Sequence, residues 1–458
     1  MNGADRVFLA PHPGGVLAAT KIAEETELGR RIKSRTALVS VVGLGYVGLP
    51  LALTYVHARF PVLGLEVDRE KLALLQKGIS PIKDVLDADL TRTIDSRKLS
   101  ISHDFSNLTK ADIVSICVPT PLDKTKSPDV SYILKALEEI KKYLRKGQLI
   151  ILESTSYPGT TEELVCPILE DTGLRVGQDF YLAFSPERVD PGNPTYGIVN
   201  TPKVVGGITE QCLSHVKLFY EQVVEKVVPV SSAKSAEMVK LLENTFRSVN
   251  IGLVNETALM CNVLGIDVWE VIDAAATKPF GYMKFYPGPG LGGHCIPVDP
   301  HYLSWKLKSL NYYARFIELA GEINSNMPRF VVSKVMSALN DQAKSLKGAR
   351  ILVLGIAYKA DINDVRESPA LDIIRLLQGS GAIVSYHDPY IPVFKEDVDA
   401  LTSVPLTEEL LESLDCLVIA TDHSAIDYAW IADHTSLIVD SRNATRGLSG
   451  TGARIVRL

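Results

Sequence analysis

Cys295 sits in PGPGLGGHCIPVD, residues Pro287 to Asp299, four residues before a carboxylate. Four glycines and three prolines make this stretch a poor helix and a poor strand, because proline removes backbone donors and glycine leaves the chain loose. A thiol in such a loop is a candidate nucleophile: attack on an aldehyde gives a thiohemiacetal, hydride loss gives a thioester, and water releases an acid. That chemistry needs a cation or water for the alkoxide and a base for the hydrolytic water. Lys240 and Asn244, one turn apart on a predicted helix, share a face. Glu187 in SPER, Thr155 in EST and Asp299 complete the set. His294 beside Cys295 suggests a Cys–His dyad, but adjacent loop residues usually point apart.

A hydride acceptor is implied by a second motif. VVGLGYVG places Gly43, Gly45 and Gly48 in GxGxxG spacing, after a predicted strand and at the start of a predicted helix, with Glu66 ending the next strand. The glycines allow a tight turn and let a pyrophosphate reach backbone N–H groups at a helix N-terminus. Glu66 can accept from ribose hydroxyls and repels a 2′-phosphate, so NAD is expected over NADP. Asp68 competes for that role, but the strand end favours Glu66.

The elements that must hold these residues are legible in the texture of the chain. Apolar runs at ALVSVV, VLGLEVD (62–68), DIVSICVPTP (112–121) and QLIILEST (148–155) alternate with helix-compatible stretches, the pattern of parallel βαβ units. From Ala233 the spacing becomes helical for some thirty residues, with Val239, Leu242, Phe246, Val249 and Leu253 along one stripe, suited to spanning two domains or forming a subunit interface. Near Gly348 the α/β texture returns, with only Gly355 in the turn that would match the dinucleotide loop. The expected fold class is α/β: two Rossmann-like doubly wound domains joined by a long central helix and a helical middle domain. The expected boundaries are an N-terminal extension at 1–36, a NAD-binding domain at 37–230, a central helical and dimerisation domain carrying the cysteine loop at 231–345, and a second Rossmann-like domain at 346–458. In the extension, KIAEETELGRRIKSR reads as a solvated surface helix or a partly ordered arm.

Composition excludes several classes. A net charge of -6 over 458 residues argues against nucleic-acid or anionic-membrane binding. No apolar run reaches transmembrane length and the first residues do not read as a secretory leader, so a cytoplasmic enzyme is expected. The six cysteines form no CxxC pair, so neither a disulfide framework nor a metal site is expected.

The segments VGLGYVGLPLA, VPTP, ESTSYPGTTE, SPERVDPGN, AEMVKLLENTFRSVNI, GPGLGGHCIPVDPHYLSWK and AYKADINDVRESPALDI resemble, in order, the UDP-glucose/GDP-mannose dehydrogenase family, over about residues 37 to 445. The stretch KPFGYMKFYPGPGLGGHCIPVDPHYLSWK is most similar to the branch acting on UDP-N-acetylglucosamine. The resemblance implies a four-electron oxidation of the sugar C6 alcohol to a carboxylate with two NAD. Matched by motif, Cys295 is the nucleophile, Lys240 stabilises the oxyanion, Asn244 and Asp299 hold the water and the lysine, and Thr155 and Glu187 assist proton transfer. Gly43, Gly45, Tyr46, Val47, Gly48, Glu66, Pro119, Thr120 and Thr155 would line the cofactor. Glu187, Arg188, Lys240, Asn244, Arg247, Tyr286, Gly288, Gly290, Gly292, Arg315, Lys359 and Arg442 would face the nucleotide sugar, with the loop glycines hugging it. A homodimer is implied, with a higher oligomer open. Two departures stand out: Glu66 replaces the aspartate of many relatives, and Pro191 stands where some carry a second glutamate.

Blander readings compete. Cys117, Cys166, Cys212, Cys261 and Cys416 suit small core positions. Glu187 can cap a turn beside Pro186, His301 and His423 can be structural, and Arg366 and Glu367 can pin the helix start at Ser368–Pro369. Rival substrates are UDP-N-acetylmannosamine, UDP-N-acetylgalactosamine, UDP-glucose and GDP-mannose. A non-catalytic NAD-binding regulator and a dehydrogenase stopping at the carbonyl are the rival functions. Cys295, Lys240 and Asp299 argue against the first, and Cys295 against the second.

Overall fold

A computed structural model of the chain describes residues 23–82, 85–123, 127–190, 193, 195–293, 295–396 and 399–458. The chain divides into two compact units, Met1–Leu242 and Glu243–Leu458, with the boundary inside one helix, Ala233–Leu264.

The first unit is built on an eight-stranded sheet. Its strands are β1 (Val39–Val42), β2 (Val62–Leu65), β3 (Leu99–Ser102), β4 (Ile113–Ile116), β5 (Leu149–Leu152), β6 (Tyr181–Phe184), β7 (Lys203–Gly207) and β8 (Val227–Val230). Their order is β3-β2-β1-β4-β5-β6-β7-β8. Every pairing is parallel except β6 with β7. Strands β1, β2, β4 and β5 are buried along their whole length, as parallel strands covered on both faces must be, and therefore read as near-continuous apolar runs. The order reverses between β1 and β4, the switch point outside whose carboxyl ends such sheets bind ligands.

The described part of the N-terminal extension, from Ala23, departs from the expected solvated surface helix or partly ordered arm. Helix Glu27–Lys33 buries Leu28 and Ile32 in the core formed with Tyr55, Val216 and Phe219. Thr26 caps it, accepting from the Gly29 amide at 2.9 Å, and Arg31 pairs with the buried Asp112 at 2.7 Å. Two apolar residues four apart on a short helix are enough to dock it, which a reading dominated by its charges misses.

The second unit carries β9 (Arg350–Leu354), β10 (Ile383–His387), β11 (Val393–Glu396), β12 (Asp399–Thr402), β13 (Cys416–Ile419), β14 (Leu437–Asp440) and β15 (Arg454–Arg457). Five of these form a parallel sheet in the order β10-β9-β13-β14-β15, and β11 with β12 makes a separate hairpin. Ahead of them lie helices Val268–Ala275, Asp299–Lys308 and Arg315–Asn340. Gly252 of the long helix packs on Ala320 so closely that an added Cβ would lie 3.1 Å from the Ala320 Cα.

The long helix buries polar residues as well as apolar ones. Glu237, Lys240, Asn244, Ser248 and Asn255, spaced to share one face, are buried, whereas Leu242, Phe246 and Leu253 are exposed. No helix among the described residues is long and apolar enough to cross a membrane.

Candidate active site

The glycine turn after β1 shows why each glycine is there. Gly43 has φ +90° and leaves no room for a Cβ, which would sit 2.8 Å from the Cys117 carbonyl oxygen. A Cβ on Gly48 would collide with the Gly43 carbonyl, whereas one on Gly45 would meet nothing within 4 Å. Helix Gly48–His57 starts here with no side-chain cap and no acidic residue in its first turn, so the positive end of its dipole suits an anion. Tyr46 is exposed and Val47 half-buried. Asp68 is spent capping helix Arg69–Gln76, accepting from the Glu70 and Lys71 amides. Glu66 is buried; it accepts from the Leu44 amide at 3.1 Å and pairs with Lys71 at 3.3 Å.

At the ends of β4 and β5, Thr120 donates to the Thr155 carbonyl at 2.6 Å, tying the turn that holds Pro119 to the one that holds Thr155. The chain beyond Thr155 is anchored by Glu237, which accepts from the Gly159 and Thr161 amides at 2.5 and 2.9 Å and from the Thr161 hydroxyl at 2.6 Å. Burial pushes the Glu237 carboxyl up to about 7 although those three donors oppose it. Thr161 opens a π-helical turn to Val165, and Lys240 lies one turn beyond Glu237.

Glu187 is held on both oxygens. Its Oε1 accepts from the Arg188 and Val189 amides at 2.8 Å each, and its Oε2 lies 3.4 Å from the Lys203 Nζ. Burial alone would raise its carboxyl; Lys203 first, then the two amides and Lys240, outweigh that and hold it below the ordinary glutamate value. Lys203 pairs more closely, at 2.9 Å, with the buried Glu153, which also accepts from the Tyr220 hydroxyl. Arg188 donates to the Pro202 carbonyl at 2.5 Å.

In the second unit, Cys295 begins the turn into helix Asp299–Lys308, its carbonyl accepting from the Asp299 amide at 2.8 Å. Asp299 is buried and accepts from the Asn244 side-chain amide at 2.5 Å. All cysteines are buried except Cys295, which is half-buried. A side chain on the glycines before it would meet the protein itself. A Cβ on Gly292 would lie 2.5 Å from the Tyr358 Cβ, one on Gly290 3.0 Å from the Pro369 Cβ, and one on Gly288 2.8 Å from an Arg442 guanidinium nitrogen. The Gly288 amide donates to Asn255, whose own amide donates to Asn324 at 2.8 Å, and Asn324 reaches the Ser248 carbonyl at 3.1 Å. The loop is therefore shaped by a buried amide chain on one side and by the turns of the C-terminal sheet on the other.

The other expected contacts come from several elements of the second unit. Arg247 and Arg315 are exposed, and Lys359 is half-buried in the turn after β9. Tyr286 donates to Asp273 at 2.5 Å, and Arg442 pairs with Asp422 at 2.9 Å. Gly355 fills the dinucleotide-type turn of this unit, but the Ile356 and Ala357 amides are consumed by Asp388 at 2.8 and 2.9 Å. His423, fully buried, locks that carboxylate at 3.1 Å and accepts the Asp361 amide on its other nitrogen, so it is structural. His294 and Pro191 lie outside the described residues. Among the described residues no cluster of His, Cys, Asp and Glu could hold a metal ion.

Three family models cover these elements: the NAD binding domain of the UDP-glucose/GDP-mannose dehydrogenase family at residues 37–224, its central domain at 234–326 and its UDP binding domain at 352–447. A UDP-N-acetyl-D-glucosamine 6-dehydrogenase of Pseudomonas aeruginosa is 36% identical over 388 residues, 84% of this chain and 90% of that one. The chain belongs to the UDP-glucose/GDP-mannose dehydrogenase family. A UDP-N-acetyl-D-mannosamine dehydrogenase of Pyrococcus horikoshii is 35% identical over 412 residues, 88% of this chain and 95% of that one. A solved structure of a UDP-D-ManNAc dehydrogenase from Pyrococcus horikoshii superimposes with a TM-score of 0.83 at 34% identity, covering 92% of this chain and 99% of that chain.

As a member of this family the chain is an NAD-dependent nucleotide-sugar dehydrogenase. The uncapped helix start and the open Gly45 face fit the pyrophosphate of that cofactor. Sequence reasoning missed Glu153, Lys203, Glu237, Asn255, Asn324 and Tyr358. Only the polar stripe Glu237, Lys240, Asn244, Ser248 and Asn255 carries a usable signal, its helical spacing; the rest meet across long sequence separations.

Proposed function

We propose that this dehydrogenase oxidises the C6 alcohol of UDP-N-acetylglucosamine to the uronic acid through a thioester on Cys295, in the cytoplasm, making a precursor for surface polysaccharide. The observation that carries the thioester reading is Cys295 itself, the one cysteine not buried, in a glycine-shaped loop at the start of the helix whose Asp299 is held by Asn244. The thiol of Cys117, by contrast, is buried and pushed well above its ordinary value.

The alcohol first loses a hydride and a proton to give the aldehyde. The Cys295 sulfur then adds to C6, and the resulting oxyanion is stabilised by Lys240. A second hydride leaves C6 and the thioester carbonyl forms. Water adds to that carbonyl, giving its proton to Glu187, and the C6–S bond breaks to return the thiolate. Bound NAD supplies the acceptor for each hydride. The turn of Gly43, Gly45, Tyr46, Val47 and Gly48, with Glu66, Pro119, Thr120 and Thr155, would hold it. Asn244 and Asp299 orient the water and the lysine; Arg188, Arg247, Tyr286, Gly288, Gly290, Gly292, Arg315, Lys359 and Arg442 are assigned to the nucleotide sugar.

The choice of the N-acetylglucosamine epimer rests on the stretch from Lys278 to Lys306. The Pyrococcus horikoshii relative favours UDP-N-acetylmannosamine as the second reading. The exposed Leu242, Phe246 and Leu253 on the long helix support a homodimer through that face. The test supplies excess NAD with limiting UDP-N-acetylglucosamine, runs to exhaustion and counts NADH per sugar consumed. A ratio of about two supports the thioester route, and Cys295→Ala then abolishes turnover. A ratio of about one makes the aldehyde the product and removes the role of Cys295. Turnover of UDP-N-acetylmannosamine alone keeps the chemistry and changes the substrate.

A further inference from the structure

Beneath Glu187 lies a chain of buried polar groups that no step above uses. Lys203, at the start of β7, has a side chain 4% exposed, and its Nζ stands between the Glu153 Oε2 at 2.9 Å and the Glu187 Oε2 at 3.4 Å. The Glu153 side chain is wholly buried, whereas that of Glu187 is 15% exposed. Tyr220 donates to the other Glu153 oxygen and lies 3.0 Å from the Tyr55 hydroxyl, itself 3.1 Å from the Ser115 hydroxyl. Because Tyr220 spends its proton on Glu153, Tyr55 must donate to Tyr220 and Ser115 to Tyr55, so the chain is directed toward Glu153. Glu153 is thus fixed and can anchor the ammonium group. Three donors then define the Glu187 carboxylate, two amides on one oxygen and Lys203 on the other.

We propose that Lys203, anchored by Glu153, is a positioning residue for Glu187: it fixes the rotation of that carboxylate and keeps it ionised, so that Glu187 takes a proton from water and never serves as the acid. The inference rests on the reading of Glu187 as the group that activates the hydrolytic water. A buried lysine between two carboxylates is an expensive way to join strands, since apolar residues of like volume often stabilise as well or better. A demand for an ionised carboxylate with a set orientation explains its presence. The charged or titratable groups that face Glu187 are Lys203, Glu153, Lys240 and Cys117.

The test follows the full-length enzyme with NAD and whichever nucleotide sugar it turns over. It measures kcat from pH 5 to 9 and the decay of the acyl species on Cys295 by acid-quenched intact mass. Lys203→Met should slow that decay by about 10-fold or more and move the acid limb of kcat upward by about one pH unit, with KM for the sugar changed less than about 3-fold. Lys203→Arg should recover most of the rate, and Glu153→Gln should move the acid limb downward, because Lys203 then serves Glu187 alone. Added to Glu187→Gln, Lys203→Met should cost nothing further. A uniform loss of kcat with an unmoved limb, or a defect that multiplies that of Glu187→Gln, overturns the proposal. If Lys203→Met does not fold, Glu153→Gln decides: a limb at the wild-type position overturns it. If Glu187→Gln hydrolyses the acyl species at the wild-type rate, the reading of Glu187 fails first, and that outcome is distinct.

Discussion

Replacing Glu237 by glutamine should make the stability of the first unit much less dependent on pH. The carboxyl is 1% exposed, and burial lifts it from an ordinary 4.5 to about 7. The folded state therefore binds more protons than the unfolded state between those values, so its stability is fully present below 4.5 and is lost as the pH rises through 7. A shift of that size corresponds to about 3 kcal/mol in total, of which about 2 to 3 kcal/mol is lost between pH 5 and pH 8.5. Glutamine cannot titrate, and its amide meets at least one of the donors from Gly159 and Thr161 head-on, at a constant cost of about 1–3 kcal/mol. The wild type should thus be the more stable protein at pH 5 and lose that lead at pH 8.5. Urea unfolding should be followed by far-ultraviolet circular dichroism, because Trp269, Trp305 and Trp430 all lie in the second unit and their fluorescence reports only there. A difference between the two proteins that stays within about 0.5 kcal/mol across that range, or grows with pH, refutes the assignment.

Leu28→Ala and Ile32→Ala should each destabilise the first unit by about 2–5 kcal/mol, seen as a lower urea midpoint, because both side chains are buried under helix Glu27–Lys33. Gly45→Ala should leave stability within about 0.5 kcal/mol and weaken NAD binding by calorimetry about 10-fold or more, since its Cβ meets open space in the protein but lies where a pyrophosphate must approach. Gly292→Ala should do the reverse, cutting NADH formation about 10-fold or more while NAD affinity holds, because its Cβ collides with Tyr358 within the second unit. Asn244→Ala removes a donor from the buried Asp299 and should cost the second unit about 1–3 kcal/mol in urea, read by tryptophan fluorescence.

Much of the scaffold is visible in the sequence because burial on both faces writes it plainly. Strands β1, β4 and β5 are near-continuous apolar runs, broken only by Ser40 and Ser115, and the long helix announces itself by its period. The edge strands β3 and β15 and the hairpin β11–β12 are short or polar and carry no such signature. Residues in the glycine turn and the cysteine loop are conspicuous because their backbone demands are local. The groups that fix them are not: Lys203 meets Glu153 fifty residues away, and Asn255 meets Asn324 across sixty-nine. Pairing at such distances leaves no trace in local spacing, and a lone lysine before an apolar strand reads as a strand-end charge.

The mould around the cysteine loop has a consequence for how the protein is made. Gly290 and Gly292 are shaped by Tyr358 and Pro369, and Gly288 by Arg442, all of which leave the ribosome after Cys295. At ordinary synthesis rates Cys295 is translated on the order of 10 s before the last of the surfaces that give its loop a form. The first unit, with its dinucleotide turn, is complete by then. A nascent chain should therefore be able to bind NAD before the loop around Cys295 has its full form, and a chain truncated ahead of β9 should hold that loop on its Asn255 side alone.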